Sequence, residues 1–368
     1  MSRVALEVLD AGFLSTIQDL GRFGYEHLGV PHAGACDPVG HVVANVLLGN
    51  DPSAATLEMT LVGPTLLARG DCTVALGGAD LGAVVRDTER AGFVRGAGRR
   101  VFPGTTTHLR DGEVLEFAGA TTGARGYLAL PGGIDVPSVL GSRSTYLAAG
   151  IGGLDGRTLT VGDAIRAAGD QPAESLPRVW PGAATSGDPW LGETRPGGTP
   201  PRDAASAHAD PARFRVLRGP DVAAGRWSIE PLLVETWAVD PRSDRVGLRL
   251  VGDGDPPSPS RPWGNGDRGT VLSRPTVWGA VQVPPSGYPV VLGVDHQTVG
   301  GYPVVAVVAS VDLPKLAQLR PGARVRFVEV DRPEALRELR AQAEGFARSV
   351  ALLGADIAWQ DAWLDAGA

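Results

Sequence analysis

The sequence predicts a mainly β (α+β) chain with a C-terminal amphipathic helix, and three observations carry that expectation. Turn-forming residues are abundant, with 51 Gly and 30 Pro among 368 residues. Gly supplies positive φ and Pro fixes φ at turn positions, so this composition suits many short strands joined by tight turns. Most apolar residues fall in short runs broken by Gly and charged turns, and helical spacing is confined to two segments. The length exceeds what one hydrophobic core usually serves, so two compact units are expected.

Residues 3–9 alternate as a first strand. From Asp37-Pro38 to Leu48 the spacing of Val39, Val42, Val43, Val46 and Leu47 predicts a helix. Asp37 is its natural N-cap, Pro38 its first turn and Gly49 its stop. Thr56–Leu61, Cys72–Leu76, Leu81–Val85 and Glu113–Phe117 then read as strands. Residues 171–211, rich in Pro, Gly, Ala, Ser and Thr, read as a linker between an N-terminal β-rich half (1–170) and a second half (212–330). A second loop is expected at Gly252–Gly269, with Trp180, Trp190 and Trp263 anchoring these loops. Strands resume at Phe214–Leu217, Arg245–Val251, Val277–Val283, Val290–Val294 and Val304–Ala309. Pro284-Pro285-Ser286-Gly287 is the turn of a hairpin. Across 331–366, Leu336, Leu339, Ala343, Phe346, Val350 and Leu353 form one apolar stripe, the mark of an amphipathic helix. An internal echo links the halves: Leu109-Arg110-Asp111-Gly112 and Leu319-Arg320-Pro321-Gly322 each lead into a strand ending in Phe, with Leu159–Ile165 a looser third copy.

Charge and cysteine usage narrow the function classes. A net charge of −7 argues against a nucleic-acid partner, which calls for a basic stripe or tail. Lys315 is the single lysine, set in Leu-Pro-Lys-Leu, so the chain lacks a suitable lysine for a Schiff base, a phosphate grip or a biotinyl attachment. Cys36 and Cys72 are far apart with no CxxC spacing, so they read as reduced thiols rather than a disulfide framework or metal site. The N-terminal residues read as a strand rather than a signal peptide, and no apolar run reaches the ~20 residues of a membrane span. A cytoplasmic location away from membranes is the expectation.

Three polar, Gly- and Pro-rich words stand outside the low-complexity stretches. They are Ile17-Gln18-Asp19-Leu20-Gly21-Arg22-Phe23-Gly24-Tyr25-Glu26-His27 continuing to Asp37-Pro38, Pro131-Gly132-Gly133-Ile134-Asp135 continuing to Gly141-Ser142-Arg143-Ser144-Thr145, and Val281-Gln282-Val283-Pro284-Pro285 with Asp295-His296-Gln297-Thr298-Val299-Gly300-Gly301-Tyr302-Pro303. With Ser243-Asp244-Arg245-Val246-Gly247, they resemble the family containing the C subunit of 5-oxoprolinase, allophanate hydrolase subunit 2 and the matching half of the urea carboxylase carboxyltransferase domain. The resemblance spans about Gly12 to Phe327. It implies two cyclophilin-like β-barrel halves, with residues 212–330 as the C-terminal barrel. It also implies a partner chain, the kinase-inhibitor-like B subunit, and a complex that the A subunit would complete. In 5-oxoprolinase members the complex opens the lactam of 5-oxo-L-proline to L-glutamate with ATP. In urea carboxylase the related domain moves a carboxyl group from biotin to urea, and other relatives act as kinase-inhibitor antagonists.

Activating a lactam or urea carbonyl needs donors aimed at the developing oxyanion and groups that move a proton. Arg22, Arg143 and Arg245 are candidate donors, suited also to a carboxylate or phosphate. Asp19, His27, Asp295 and His296 are the proton-transfer candidates, and Gln282, Gln297, Thr298 and Tyr302 would orient the carbonyl or a water. The bland alternatives are a polar partner for loop backbone at His27, a simple cap at Asp37, and a turn with an exposed ion pair at Asp244-Arg245. His32, His41, His108 and His208 read as structural. The segment Asp295–Tyr302 is the strongest candidate, since paired glycines between apolar strands let backbone approach a ligand closely. Against the family pattern, Val304 stands where lysine is usual, His296 where arginine is usual, and Ser273-Arg274-Pro275 where an acidic version is usual. The sequence has no Gly-x-x-x-x-Gly-Lys-Ser/Thr loop, so an ATP site is expected elsewhere, shared with the partner. The leading reading is one chain of a 5-oxoprolinase complex that works on a small amide. The alternatives are a carboxyltransferase half served by biotin on a partner chain, and a non-catalytic kinase-inhibitor antagonist.

Overall fold

The computed structural model describes residues 5–87, 98–170, 178–181, 210–252, 263–264 and 271–353. The chain groups into two compact units. Unit 1 contains Met1–Arg22, Asp37–Arg202 and Gly345–Ala368, and unit 2 contains Phe23–Cys36 and Asp203–Glu344. Most of the linker at 171–211, Trp190, His208, nearly all of the loop 252–269 and the helix beyond residue 353 lie outside the described residues.

Unit 1 holds β1 (Ala5–Asp10), β2 (Leu14–Gln18), α1 (Pro38–Leu48), β3 (Thr56–Thr60), β4 (Thr65–Arg69) and β5 (Cys72–Gly78). It continues with β6 (Ala83–Asp87), β7 (Arg99–Arg100), β8 (Thr105–Leu109), β9 (Glu113–Phe117), β10 (Arg125–Ala129) and β11 (Ala164–Arg166). The strands form a six-stranded sheet in the order β11-β1-β4-β9-β6-β7 and a five-stranded sheet in the order β2-β3-β10-β5-β8. Their apolar faces share one core, built on Leu6, Val8, Ile17, Leu57, Met59, Leu66, Leu115 and Leu128, all essentially buried. The alternation of inward apolar side chains along each strand sets that core, because a one-residue slip would turn the apolar set outward.

Helix α1 begins and ends as its sequence dictates. The Asp37 carboxylate accepts the N–H groups of Val39 and Gly40, and Gly49 closes the helix in the left-handed conformation. Nine of its residues are buried because it lies across β5 and β10 rather than on the surface. The contact depends on missing side chains: a Cβ at Gly77 would meet the Gly40 carbonyl oxygen at 2.1 Å. His41, on the buried face of this helix, bonds Thr56 Oγ1 at 2.8 Å and the Pro52 carbonyl at 3.0 Å. Burial pushes its pKa down to about 4, partly offset by the charge of Asp19. Its structural reading agrees with this setting.

Unit 2 is organised by β12 (Ala212–Arg218), α2 (Pro220–Ala223), α3 (Glu230–Val234), β13 (Trp237–Val239), β14 (Gly247–Gly252) and β15 (Arg274–Pro275). After these come β16 (Ala280–Gln282), β17 (Val290–Leu292), β18 (Val299–Gly300), β19 (Val304–Val308), α4 (Leu313–Ala317) and β20 (Arg324–Glu329). Seven strands close into a barrel in the order β12-β19-β16-β17-β14-β13-β20. Closure comes from the parallel pairing of β12 with β20, Phe214 opposite Phe327. The remaining strands, β15 and β18, form a separate two-stranded ribbon. The mainly β class expected from the turn-rich sequence is what the structure has.

Local expectations met the structure in different ways. The hairpin turn at Pro284–Gly287 closes with a Gly287 N–H to Pro284 carbonyl bond of 2.9 Å between the antiparallel β16 and β17. The echoed words share a left-handed glycine, Gly112 and Gly322, ahead of strands that end on or pass through buried Phe117 and Phe327. What precedes them differs, a strand in one case and α4 in the other. Trp180 and Trp263 are buried anchors; Trp263 stacks on Trp237 and donates Nε1–H to the Gly287 carbonyl. The C-terminal helix, α5 (Arg332–Leu352), starts one residue before Pro333. Its stripe is only partly inward, since Val350 is buried while Leu336 stays exposed. The expected strand at Val277–Val283 shortens to β16, because residues 276–279 follow the ribbon and turn before the barrel begins.

Replacing Gly77 by Ala forces α1 away from β5. Overpacking of this kind costs about 1–3 kcal/mol. Gly77→Ala is expected to lower the urea midpoint accordingly, while Gly141→Ala, whose Cβ would meet nothing within 4 Å but whose φ is +77°, costs only its backbone strain.

Candidate functional site

Except for His27, the residues singled out from the sequence fall around two places, one in each unit, and each place is built on a carboxylate held by several donors.

In unit 1 the hub is Asp19, at the end of β2. Its Oδ1 accepts from Ser142 Oγ at 2.6 Å, Ser144 Oγ at 2.5 Å and the Gly21 N–H at 2.8 Å. Its Oδ2 accepts the Arg143 N–H at 2.5 Å, and the Asp19 N–H is received by Ser144 Oγ at 2.9 Å. Arg22, fully buried, donates Nη2–H to the Ser144 carbonyl. The Arg143 side chain lies on the surface, with Nε donating to the Val136 carbonyl at 3.1 Å. Gln18 donates to Thr16 Oγ1 and the Thr145 carbonyl, and its buried Oε1 has no hydrogen-bond partner among the described residues. Thus the first and second sequence words meet, and Asp19 ties loop 142–145 to the end of β2. A carboxylate receiving four donors is arranged to position backbone, and a proton taken from a ligand would first have to displace one of them.

In unit 2 the hub is the Arg245–Asp295 pair, only 4% and 5% exposed. Arg245 grips the carboxylate with both prongs, Nε to Oδ2 at 2.8 Å and Nη2 to Oδ1 at 3.0 Å. Nη2 also donates to the Gly34 carbonyl at 2.7 Å, and Nη1 to Cys36 Sγ at 3.2 Å. The Ala33 N–H reaches the Val294 carbonyl at 3.1 Å. The exposed ion pair considered at Asp244-Arg245 is therefore corrected: Asp244 Oδ1 caps the turn through the Val246 and Gly247 N–H groups, while Arg245 points inward.

Beside this pair lies the Asp295–Tyr302 segment. His296 is 6% exposed; its Nδ1 sits 2.7 Å from the Gln297 carbonyl and 3.2 Å from Thr276 Oγ1. A carbonyl only accepts, so Nδ1 carries the proton and Nε2 has the lone pair. Burial lowers the His296 pKa and the nearby His32 lowers it further, outweighing the opposing pull of the Gln297 carbonyl, Asp295 and Glu26, so the charged ring is disfavoured. Gln282, buried on β16, accepts from Gln297 Nε2 at 3.2 Å through Oε1, while its own Nε2 has no partner among the described residues. Gly300 is what allows this packing, since a Cβ there would lie 2.6 Å from Gln282 Nε2 and 3.0 Å from Thr276 Cγ2.

The structure thus brings Arg245, Asp295, His296, Gln282 and Gln297 into one cluster. Thr298 is buried on the same segment, with its carbonyl accepting the Thr276 N–H, and Tyr302 is 45% exposed at its end. His27 is exposed on the 3-10 turn Glu26–Leu28 and makes no hydrogen bond among the described residues. Sequence reading missed Thr276, Ser142 and Ser144 as ordering groups, and nothing in their local spacing marks them. The departures from the family pattern also have a structural setting. Val304 packs with Ala280 and Leu292, and its N–H is accepted by Asp221 Oδ2 at 2.7 Å. That same carboxylate oxygen takes Arg274, so a cation is still supplied at this corner. No group of three or more His, Cys, Asp or Glu side chains suited to a metal occurs among the described residues.

Residues 28–329 match the family model for the carboxyltransferase domain, subdomains A and B. The chain is 33% identical to the C subunit of Escherichia coli 5-oxoprolinase over 93% of its own length and 96% of that protein. Among solved structures it resembles TTHA0988, with TM-score 0.68 and 32% identity over 89% of this chain and 56% of that one. It also resembles the Kluyveromyces lactis urea carboxylase, with TM-score 0.75 and 27% identity over 96% of this chain. The chain spans about half of the TTHA0988 chain and 29% of the yeast enzyme.

Removing one partner of the buried pair leaves an uncompensated charge, which costs about 3–5 kcal/mol. Asp295→Ala is therefore expected to lower the urea midpoint strongly, followed by tryptophan fluorescence. The double variant Arg245→Met with Asp295→Ala should recover part of that loss.

Proposed function

Because this chain belongs to the carboxyltransferase-domain family with subdomains A and B, we propose that it is the C subunit of an ATP-dependent 5-oxoprolinase complex. The observation that carries the reading is end-to-end correspondence with the C subunit of the Escherichia coli enzyme, 96% of whose length is matched. By contrast, the chain corresponds to 29% of the urea carboxylase chain. The polar cluster of unit 2 supports a small amide as substrate, because it combines a buried carboxamide donor with a neutral imidazole.

In this reading the complex hydrolyses the lactam of 5-oxo-L-proline. The ring C–N bond breaks, a water oxygen becomes part of the new carboxylate, and the nitrogen becomes the amine of L-glutamate, with ATP cleavage driving the step. Gln282 and Gln297 orient the carbonyl, and His296, with its neutral ring, is the group suited to exchange a proton with the ring nitrogen. Thr298 and Tyr302 complete the lining. Arg245 and Asp295 act through position, holding the His296 loop, and Asp19 with Arg22 and Arg143 holds the corresponding loop of unit 1. His27, exposed on its turn, is the remaining candidate for proton exchange.

Lys315, the single lysine, lies 3.6 Å from Asp312. It belongs to a network with Arg215, which grips Asp312 with two prongs, and that favours a structural role over a phosphate grip or biotin attachment. The reading accordingly puts ATP in a site shared with the partner chains, one of them kinase-inhibitor-like. A second reading, carboxyl transfer to urea from biotin on a partner chain, is favoured by the likeness to the urea carboxylase fold. A purely regulatory partner, the kinase-inhibitor antagonist, would leave the buried Gln282 donor without use.

Co-expression with the candidate partner chains, followed by measurement of glutamate from 5-oxo-L-proline, tests the assignment. Release that requires ATP is expected. A well-formed complex that releases no glutamate, yet carboxylates urea when a biotinylated partner is present, would replace the first reading by the second.

A further inference from the structure

We propose that residues 23–30 form a lid that screens His296 from solvent, with His32 as the catch that holds it shut. The inference deepens the reading above by naming how the ring is reached, and it rests on that reading only for what the ring is used for. The lid itself is argued from unit 2 alone.

The lid is closed on itself and little else. None of residues 23–30 is buried. Within the segment the Leu28 N–H bonds the Tyr25 carbonyl at 2.9 Å, the Gly29 N–H the Glu26 carbonyl at 2.9 Å and the Val30 N–H the Tyr25 carbonyl at 3.3 Å. Among the described residues it makes no hydrogen bond to any other part of unit 2, apart from its tie to His32. A segment with no buried side chain and no outward bonds belongs to the low-stability end of a structure. Gly24 and Gly29 are left-handed, with open space where a Cβ would stand, so the backbone has room to turn.

The base of the lid, by contrast, is fixed. Ala33 and Gly34 are both left-handed, at φ +53° and +86°, and a non-glycine residue stays there only where its surroundings over-determine it. The Ala33 N–H bonds the Val294 carbonyl at 3.1 Å, and Arg245 donates to the Gly34 carbonyl and to Cys36 Sγ. Ala33 and Cys36 are 4% and 5% exposed. Val294 and the Arg245–Asp295 pair immediately precede or hold His296, so this base sets the lid beside that ring. His32 and Glu26 stand close enough for their charges to act on it.

His32, at the junction of lid and base, is gripped by the lid in two ways. The Glu26 carboxylate pairs with its Nε2, and the Phe23 ring lies against the imidazole with centroids 4.6 Å apart. Both partners of the ion pair are more than one-third exposed, so the catch is weak. A weak catch on a fixed base gives a lid that is closed on average and open as a minor state. His296 is 6% exposed when it is closed, so a ligand that exchanges a proton with the ring needs the open state.

Acylation of the bare imidazole nitrogen by diethyl pyrocarbonate tests the lid on the full chain, with the modified histidines mapped by mass spectrometry. His27, exposed on the lid, is the fast reference, and the fully buried His41 is the silent one. Labelling of Cys36 by iodoacetamide reports release of the base. At about pH 7.5 a ring whose pKa is lowered is already neutral, so a change in its rate reports access rather than protonation. A minor open state makes His296 react about tenfold to a thousandfold more slowly than His27. Cys36 stays unlabelled over that time, and the His296 rate is insensitive to urea well below the midpoint, because little surface opens. Glu26→Gln raises the His296 rate about two- to fivefold, the effect of losing an exposed ion pair. His32→Gln raises it at least as much, and the double variant goes no further than His32→Gln alone. A His296 that reacts as fast as His27, or never reacts, overturns the proposal. So does one that reacts only together with Cys36 and with a steep urea dependence, which marks unfolding of unit 2, and so does an unchanged rate in both catch variants. Glutamate release is a separate readout: a lid that opens in a chain whose complex releases no glutamate keeps this inference and loses the 5-oxoprolinase assignment.

Discussion

Two opposite charges buried together, Arg245 and Asp295, set the conditions for everything proposed about unit 2. Neither is tolerable alone in that setting, and their pairing is worthwhile only because each guanidinium prong finds an oxygen or sulfur. The pair fixes the beginning of the 295–302 segment, and through the Gly34 carbonyl and Cys36 Sγ it also fixes the end of the 23–36 segment. With that segment held, the next residue, His296, has its ring directed onto the Gln297 carbonyl. The tautomer and the free Nε2 follow from this placement, while burial disfavours the charged ring. Unit 1 repeats the logic with different chemistry, since Asp19 meets hydroxyl and backbone donors rather than an arginine.

Both hubs show why a carboxylate within a polar, glycine-rich word need not be the group that moves a proton. Asp19 and Asp295 spend their lone pairs on positioning. The groups with unspent capacity are side chains one step removed, a glutamine amide and an imidazole nitrogen. Stability and recognition are thereby divided between neighbouring residues, so a substitution at Asp295 disturbs folding first, whereas one at Gln282 removes a donor while leaving the pair in place.

Much of the architecture was legible because it follows from local rules. The cap at Asp37, the left-handed Gly49, the hairpin at Pro284–Gly287 and the glycines before β9 and β20 are each specified by a few adjacent residues. The gathering of the third sequence word was legible too, since paired glycines between apolar strands mark a place where backbone comes close. Other features were hidden because they depend on residues far apart in the chain. Nothing near Asp19 announces Ser142 and Ser144, 123 and 125 positions away. Nor does Ser243-Asp244-Arg245 reveal that the arginine turns inward to a carboxylate 50 residues on. The closeness of α1 to β5 rests on Gly40 and Gly77, and neither glycine is distinguishable in sequence from those of ordinary turns.

The central claim is that the buried Arg245–Asp295 pair seats His296 with Nδ1 on the Gln297 carbonyl and Nε2 left as an acceptor, and this tautomer can be observed directly. Long-range proton–nitrogen NMR on the full chain with labelled histidine, assigned by the signal lost in His296→Gln, resolves this ring among six histidines. The account predicts that the neutral form of the ring carries its proton on Nδ1, with Nε2 bare. A neutral ring protonated on Nε2 would contradict it.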